Sequence, residues 1–383
     1  MSESAVRMGI GLWGARYGNP KMLADLARAM EATGHVDQMV FWDQLTNWWP
    51  QALWDPEITP LANHFPDTDS FADPFTACAF ALAGVEKMGF AICTDALRRD
   101  PPELAQMLLT LAQATEGQAT LNLGAGEVRH IAPFGRKRAI GLKRLEDALP
   151  ILRLLLKERG LVNYQGKVWE LEDAWLGNGG KDRMPEVTAM GGGPRLIEAS
   201  INDADGFSTG APFVYGTAEK YGAAIRNHKA ERASRGLGEQ PYTYGIHHIA
   251  FLCKDKDDFE QYIDNPLVKW YAATGGRINM ADWADEGVES VMPLDWHYAF
   301  HMKPSGMSRD QIMEVVDQVT PEMVRKTYFH GSPQDIANEI IPYVKQGATF
   351  NMVADLSPLM VETDPVHNIQ QMAEVCRIVK AST

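Results

Sequence analysis

One short segment brings together residue types that carry out acid and base chemistry. Gly124 and Gly126 are followed at once by Glu127, Arg129 and His130. The glycines give the backbone conformational freedom, and the three side chains offer a carboxylate, a guanidinium and an imidazole. The segment is a compact set of proton-transfer candidates, and it also fits an ordinary glycine turn followed by solvated polar residues.

A second segment, residues 191–194, has the composition of an anion-binding turn. Three glycines, Gly191, Gly192 and Gly193, precede Pro194. They leave backbone N–H groups free at the start of a helix, where the helix dipole favours negative charge. A dinucleotide-binding Rossmann fingerprint that begins at Gly191 needs a glycine three residues after Gly193, where this chain has Leu196. The segment therefore predicts a phosphate-binding turn or a simple tight turn, and not a Rossmann site.

Aromatic residues are concentrated in one loop. Four of the ten tryptophans lie between residues 42 and 54. Rigid rings interleaved with polar groups suit a flat, apolar ligand. The same loop would also serve simply to cover the mouth of the fold, so both interpretations stay open at this point.

Histidines and cysteines do not predict a metal site. His297 and His301 have the i, i+4 spacing of helical ligands, but the Glu of a His-Glu-x-x-His motif and a third ligand are missing. His247 and His248 alternate across a predicted strand, so their rings cannot point to one metal. The four cysteines form no Cys-x-x-Cys pair and are expected to be buried thiols.

Charge excludes one class of partner and singles out one segment. The net charge of −14 repels phosphate backbones and anionic lipid, so nucleic acid is not an expected partner. Basic residues nevertheless cluster at 136–138 and at 143–144. That cluster fits a solvated helix face or a contact with an anionic ligand tail.

The residues above follow short apolar segments that alternate with helical patterns along the whole chain. Eight strands are predicted, at residues 8–13, 38–42, 88–93, 119–124, 186–189, 205–207, 242–252 and 349–354. This βα order predicts an α/β protein, a closed (β/α)8 TIM barrel rather than an open doubly wound sheet. In such barrels the loops after the strands build the active site.

Length and composition are consistent with one barrel. The chain of 383 residues is 45% apolar and 22% charged, as in ordinary globular proteins. We expect residues 1–383 to form a single domain with insertions of about 44–70, 162–184 and 255–330 after strands two, four and seven. No run of 18 apolar residues occurs, and no basic segment precedes an apolar stretch at the start, so we expect a cytoplasmic protein without a membrane span.

Several strand ends together resemble the bacterial luciferase-like family. The matching segments are Phe41-Trp42-Asp43-Gln44, residues 89–101, residues 123–127, residues 190–194 and Asp205-Gly-Phe207. Their order and spacing match over nearly the whole chain. Within the family, the chain is most similar to the branch that uses the deazaflavin coenzyme F420. That branch includes F420-dependent sugar-phosphate dehydrogenases and phthiodiolone ketoreductases, and the chain resembles the ketoreductases more closely.

The resemblance implies a deazaflavin ring in the barrel mouth, with its phosphate near the glycine turn. The cofactor-binding residues that it implies are Asp43, Ala91, Ile92, Thr94, Gly126, Met190, Gly191, Gly192, Gly193 and Pro194. It also implies a non-proline cis peptide between Ala91 and Ile92, a bond that costs about 3–4 kcal/mol and would bulge the backbone against the ring. Trp48 matches the aromatic residue over the hydride-transfer site, and Glu127 lies near the reactive face of the ring. A homodimer is a further implication.

Two positions depart from the dehydrogenases of the family. Gln44 stands where they have a histidine, and an amide cannot take up a proton at neutral pH. Proton transfer is then expected from Glu127 or His130. Residues 208–212 lack the lysine that grips sugar phosphate in those enzymes, so sugar phosphate is not an expected substrate.

The sequence therefore predicts an F420-dependent oxidoreductase. It would transfer a hydride between the deazaflavin and a fairly apolar small molecule, a ketone/alcohol pair, with Glu127, Trp48, His130 and Gln44 as catalytic residues. One alternative is an FMN-dependent monooxygenase of the same family. A second alternative is a barrel that binds a cofactor without catalysis.

Overall fold

Eight parallel strands close on themselves in the computed structural model, which describes residues 6–12 and 14–383. The barrel order is β1, β2, β3, β4, β7, β8, β9 and β11, and it closes because β9 pairs with both β8 and β11. The strands are β1 Arg7–Gly11, β2 Gln38–Trp42, β3 Gly89–Asp95, β4 Ala119–Gly124, β5 Val162–Gln165, β6 Glu170–Ala174, β7 Glu186–Met190, β8 Gly206–Ala211, β9 Thr243–Leu252, β10 Phe329–Gly331 and β11 Phe350–Asp355. The predicted TIM barrel is confirmed. Trp13, the last residue of the first predicted strand, lies outside the described residues.

Helices follow the barrel strands and cover their outer faces. Many begin with a proline behind a capping side chain, as where Asp73 accepts a hydrogen bond from the backbone N–H of Thr76. The helices are α1 Lys21–Ala32, α2 Pro74–Leu82, α3 Pro101–Ala112, α4 Gly141–Lys157, α5 Pro194–Asp203, α6 Ala218–Ser234, α7 Pro266–Gly275, α8 Asp282–Asp285, α9 Tyr298–His301, α10 Arg309–Val316, α11 Pro321–Thr327, α12 Pro333–Lys345 and α13 Pro365–Ala381.

Alternation along each strand divides the barrel into two apolar layers. In β3, Phe90 and Ile92 pack outward against the helices, in the same cluster as the leucines of α3 and α4. Ala91 and Cys93 point to the other side and pack with Val40, Phe350 and Met352 inside the barrel. The strands are therefore buried on both faces, as expected of a parallel sheet.

Long segments outside the regular βα repeat follow β2, β4 and β9. The middle one carries the antiparallel hairpin β5–β6. The first and the last pack together in a second apolar core that includes Trp49, Leu53, Trp270 and Trp283. Nε1 of Trp270 donates to the carbonyl oxygen of Trp48 at 2.8 Å, which ties helix α7 to the tryptophan-rich loop.

Two further expectations concern the whole chain. No helix of the described residues is both long and apolar enough to cross a membrane. All four cysteines are free, and three of them are buried, but Cys253 is only partly buried because it follows the end of β9.

Candidate active site

Two adjoining cavities lie at the carboxyl ends of the barrel strands. The outer cleft runs from β3 and β4 to the glycine turn before α5 and has an empty volume of about 1570 Å³, part of it open to solvent. The inner cavity lies under the tryptophan-rich loop, between β2 and β11, and has an empty volume of about 1080 Å³, part of it also open to solvent. Their shared boundary, called the junction below, consists of Trp42, Gln44, Glu127, Arg129, Met190, Phe213 and Tyr298.

The glycine turn forms one end of the outer cleft. Gly193 is the N-cap of α5, and a Cβ added there would meet no atom within 4 Å. A Cβ on Gly192 would instead lie 2.7 Å from Cγ1 of Val214. In the described part of the chain, the backbone N–H groups of Gly193 and Arg195 have no hydrogen-bond partner, so they remain available to an anion.

Arg138, from the basic cluster, also lines the outer cleft. Its guanidinium carbon lies 4.6 Å from the centre of the Phe300 ring, and its Nε is buried without a partner in the described structure. Arg144 points elsewhere, because its Nε donates to the carbonyl oxygen of Ala96 at 2.8 Å. Only part of the predicted basic cluster therefore faces the cleft.

Asp43 lies at the base of the outer cleft and is almost fully buried. Its carboxylate is surrounded by donors: Nη2 of Arg98 at 2.5 Å, Nε of Arg99 at 3.0 Å and Oγ1 of Thr94 at 2.7 Å. Burial alone would raise the pKa of Asp43, but the two guanidiniums and the Thr94 hydroxyl outweigh burial and lower it. Asp43 is therefore an ionised anchor for this end of β2 and β3.

The peptide bond between Ala91 and Ile92 is trans, so the expectation of a cis bond is wrong. Neither residue lines the outer cleft or the inner cavity. Both lie in the middle of β3, where Ala91 is paired with Val40 of β2 and with Thr120 of β4. A regular ladder on both sides leaves no room for a bulge, so Ala91 points into the barrel and Ile92 outward.

The loop after β4 carries the predicted acid and base residues. It turns at Gly126, whose φ is +90° and where a Cβ would lie 2.3 Å from Cδ1 of Ile131. Oε2 of Glu127 accepts a hydrogen bond of 2.7 Å from Nε of Arg129, and Arg129 also donates to the carbonyl oxygen of Thr46. Burial opposes ionisation of Glu127, but the charges of Arg129 and His130 lower its pKa overall. Glu127 is thus an anion at neutral pH.

His130 lines the outer cleft but not the inner cavity. Its Nε2 lies 3.2 Å from Oδ2 of Asp95, the last residue of β3. Its Nδ1 is buried without a partner in the described structure. This arrangement positions the imidazole beneath the loop rather than at the junction.

Eight Phe, Trp and Tyr side chains line the inner cavity. The rings of Trp48 and Tyr298 are 4.6 Å apart, and those of Trp48 and Tyr271 are 5.2 Å apart. The guanidinium of Arg129 lies 5.2 Å from the Trp48 ring on another side. Trp48 is therefore enclosed between the β4 loop and two helices of the last insertion, α7 and α9.

One polar group lies deep among these apolar residues. His247 of β9 lines the inner cavity, is 2% exposed, and has an Nε2 without a partner in the described structure. Burial lowers the pKa of His247 to about 3, so the imidazole is neutral. His248 points outward, and its Nε2 lies 3.1 Å from Oδ1 of Asn351, as the strand alternation predicts.

The structure brings nearly all the predicted site residues to these two cavities. Trp48 lines the inner cavity and Gln44 the junction. The remaining predicted residues of the outer cleft are Asp43, Thr94, Gly126, Glu127, His130, Met190, Gly191, Gly192, Gly193 and Pro194. In the described residues no group of three His, Cys, Asp or Glu side chains is arranged to hold a metal ion.

Sequence reasoning missed several lining residues, above all Tyr271, Tyr298, His297 and Phe213. Three of them belong to the insertion of 255–330, where the sequence has no regular period to show which side chains face inward. Nδ1 of His297 accepts a hydrogen bond of 3.1 Å from the backbone N–H of Ala299, which caps the short helix α9. The sequence presents His297 only as a partner of His301 at the spacing of helical metal ligands.

Curated relatives are similar over most of the chain. A phthiodiolone/phenolphthiodiolone dimycocerosates ketoreductase of Mycobacterium kansasii is 25% identical over 316 residues, which cover 81% of this chain and 84% of the relative. An F420-dependent glucose-6-phosphate dehydrogenase of Amycolatopsis mediterranei (strain U-32) is 28% identical over 125 residues, covering 32% of this chain and 37% of the relative.

Solved structures share the fold. An F420-dependent secondary alcohol dehydrogenase in complex with an F420-acetone adduct superposes with a TM-score of 0.70 at 16% identity, covering 98% of this chain and 99% of that one. A riboflavin lyase with modified FMN superposes with a TM-score of 0.66 at 12% identity, covering 97% and 91%. Residues 7–349 match the family model described as luciferase-like monooxygenase. The chain therefore belongs to the bacterial luciferase-like family.

Proposed function

We propose that this protein is an F420-dependent oxidoreductase that transfers a hydride between the deazaflavin and the carbonyl carbon of a ketone/alcohol pair. The observation that carries the proposal is the junction between an outer cleft that has more charged side chains in its lining and an inner cavity that has more aromatic rings. A cofactor and an apolar substrate can meet there with their reacting atoms shielded from water.

The outer cleft fits a flat cofactor with an anionic tail. Gly193 leaves open space beside unpaired backbone N–H groups at the start of α5. The unpaired Nε of Arg138 adds a donor in the same cleft. When bound, the deazaflavin supplies the hydride from its ring, and the protein supplies position and electrostatics.

The inner cavity supports a substrate less polar than a sugar phosphate. Its walls are mostly aromatic and aliphatic. The cationic side chain in its lining, Arg129, forms an ion pair with Glu127. Trp48 and Tyr271 exclude water from the space beside the junction. The neutral His247 offers one hydrogen-bonding group to a polar atom at the far end of the substrate.

Relatives support the same chemistry without establishing it for this chain. One is named a ketoreductase, and others are named as F420-dependent dehydrogenases of glucose 6-phosphate and of secondary alcohols. The family model carries a monooxygenase description, so FMN is the competing cofactor.

Titration of the purified protein with each cofactor tests the proposal. We expect the fluorescence of F420 to change when it binds the protein. We expect FMN to bind far more weakly. Reduced F420 mixed with a ketone series from acetone to cyclohexanone and acetophenone should then be oxidised. Tight FMN binding with oxygen consumption would establish the monooxygenase alternative, and F420 binding without turnover across the series would establish a non-catalytic barrel.

A further inference from the structure

We propose that Tyr298, in the last insertion, is the residue that hands a proton to the substrate oxygen. The inference rests on the proposed function, since it concerns the proton that accompanies hydride transfer to a ketone. Gln44 cannot supply this proton, because an amide does not ionise at neutral pH.

Position singles out Tyr298 first. Among the described residues it is the one tyrosine that lines both cavities, so it lies where the cofactor and the substrate are proposed to meet. Tyr271 lines only the inner cavity, and His297 and His130 line only the outer cleft. The only other proton-transfer group of the junction is Glu127, which already accepts a hydrogen bond from Arg129 and is ionised.

The ring of Tyr298 is held while its hydroxyl is left without a protein partner. The ring lies 4.6 Å from Trp48 on one side and 5.1 Å from His297 on the other. Helix α9, which begins at Tyr298, packs against the turn Val128–His130 of the β4 loop. Within the described structure no side chain or backbone group makes a hydrogen bond with Oη of Tyr298. A substrate oxygen at the junction can therefore accept from it.

Surrounding charges suit a proton donor. Burial raises the pKa of Tyr298, and the nearby Glu127 carboxylate raises it further, so the phenol keeps its proton at neutral pH. The guanidiniums of Arg129 and Arg138 act in the opposite direction and offset part of this rise in pKa, so they lessen the cost of the phenolate that remains after proton transfer. The site thus holds a neutral acid beside two cations.

The step balances as a two-electron reduction. The carbonyl carbon accepts the hydride that the reduced cofactor supplies, and the π electron pair of the C=O bond moves to oxygen. That oxygen takes the proton from Oη of Tyr298 and becomes the alcohol. The phenolate of Tyr298 then recovers a proton from water entering through the outer cleft. In alcohol oxidation the same atoms move in reverse.

Tyr298→Phe tests the inference, with Tyr271→Phe as a matched control that removes the same atom from the inner cavity alone. Single-turnover oxidation of reduced F420 by acetophenone should slow by about 100-fold or more in Tyr298→Phe. It should slow by less than about tenfold in Tyr271→Phe. Affinity for F420, measured by fluorescence, should stay unchanged in both. We expect the natural protein to react more slowly in deuterium oxide than in water, and this solvent isotope effect should change in Tyr298→Phe and persist in Tyr271→Phe.

A second measurement needs neither cofactor nor turnover. The infrared C=O band of bound acetophenone, isotope-labelled at its carbonyl carbon, should lie at lower frequency in the natural protein than in Tyr298→Phe, because a hydrogen bond weakens that bond. An unchanged band and an unchanged turnover rate in Tyr298→Phe overturn the inference, as does failure of acetophenone to bind. If the natural protein binds acetophenone but reduces no ketone, the proposed function fails. The infrared band alone then decides whether Tyr298 donates a hydrogen bond to the carbonyl oxygen.

Discussion

Oε2 of Glu127 lies 2.7 Å from Nε of Arg129, and this ion pair determines what Glu127 can do. The side chain of Arg129 is 1% exposed, and its guanidinium also donates a hydrogen bond to the backbone carbonyl oxygen of Thr46 in the tryptophan-rich loop. Glu127 therefore balances the buried cation of Arg129, and Arg129 ties the β4 loop to the loop after β2. A residue that the sequence presents as a proton donor is, in the fold, an anion that orders the junction.

Glu127→Gln should destabilise the fold, because it leaves the buried guanidinium of Arg129 without its counter-charge. We expect a loss of about 1–3 kcal/mol in the free energy of unfolding at neutral pH. The folded protein holds the pKa of Glu127 below its usual value, so this contribution is present above the unfolded pKa, about 4.3. The difference from the natural protein should therefore shrink as the pH falls into the acid range.

Urea unfolding of both proteins at neutral and at acid pH measures this difference. Glu172→Gln, in the exposed strand β6, is the control and should have little effect at either pH. If the free energies of unfolding of Glu127→Gln and the natural protein differed equally at both pH values, the carboxylate charge of Glu127 would not be what stabilises the fold.

Asp43→Asn should be more destabilising than a change in its neighbour Asp73. Asp43 is buried between the guanidiniums of Arg98 and Arg99, so neutralising it leaves Arg98 without its counter-charge and Arg99 with only the more exposed Asp73. We expect a loss of about 3–5 kcal/mol. Asp73 also pairs with Arg99, but its side chain is 41% exposed, and Asp73→Asn should cost about 1 kcal/mol or less. Equal losses in the two variants, measured by thermal or urea unfolding, would contradict the anchoring role of Asp43.

The glycine turn allows a test with a single methyl group. Gly193→Ala adds a Cβ into open space, so we expect cofactor affinity to fall by about tenfold while the melting temperature stays the same. Gly192→Ala adds a Cβ only 2.7 Å from Cγ1 of Val214, and we expect a lower melting temperature. Fluorescence titration with F420 and thermal unfolding of each variant separate the two effects. Undiminished affinity in Gly193→Ala would put the anionic tail of the cofactor elsewhere.

Gln44→His should introduce a titrating group at the junction. An imidazole has an unperturbed pKa of about 6.5, so the rate of ketone reduction should acquire an inflection near that pH that the natural protein lacks. The measurement is kcat/KM with acetophenone across the neutral range for both proteins. Gln44→Asn keeps the amide and serves as the control, with no new inflection expected. Superimposable profiles for Gln44→His and the natural protein would show that side chain 44 does not reach the reacting atoms.

Much of the outer cleft was predictable because it is built from strand ends. Local periodicity shows where each strand stops, and closure of a parallel barrel brings all those carboxyl ends to one rim. Asp43, Thr94, Glu127 and Met190 follow from this rule although they are distant in the chain. The glycine turn is equally local, since three glycines before a proline are visible in the sequence itself.

Tertiary contacts decided the rest. The ionisation of Glu127 depends on Arg129, which also bonds a carbonyl 83 residues away in the chain. Ala91 and Ile92 stay in a regular trans ladder because a strand is paired with each side of β3. The sequence by itself determined the barrel, the ends of its strands and much of the outer cleft, since these depend on local periodicity and on one closure rule. Only the fold determined that Tyr298 reaches the junction, because that placement requires an insertion without periodicity to pack across Trp48, 250 residues earlier in the chain.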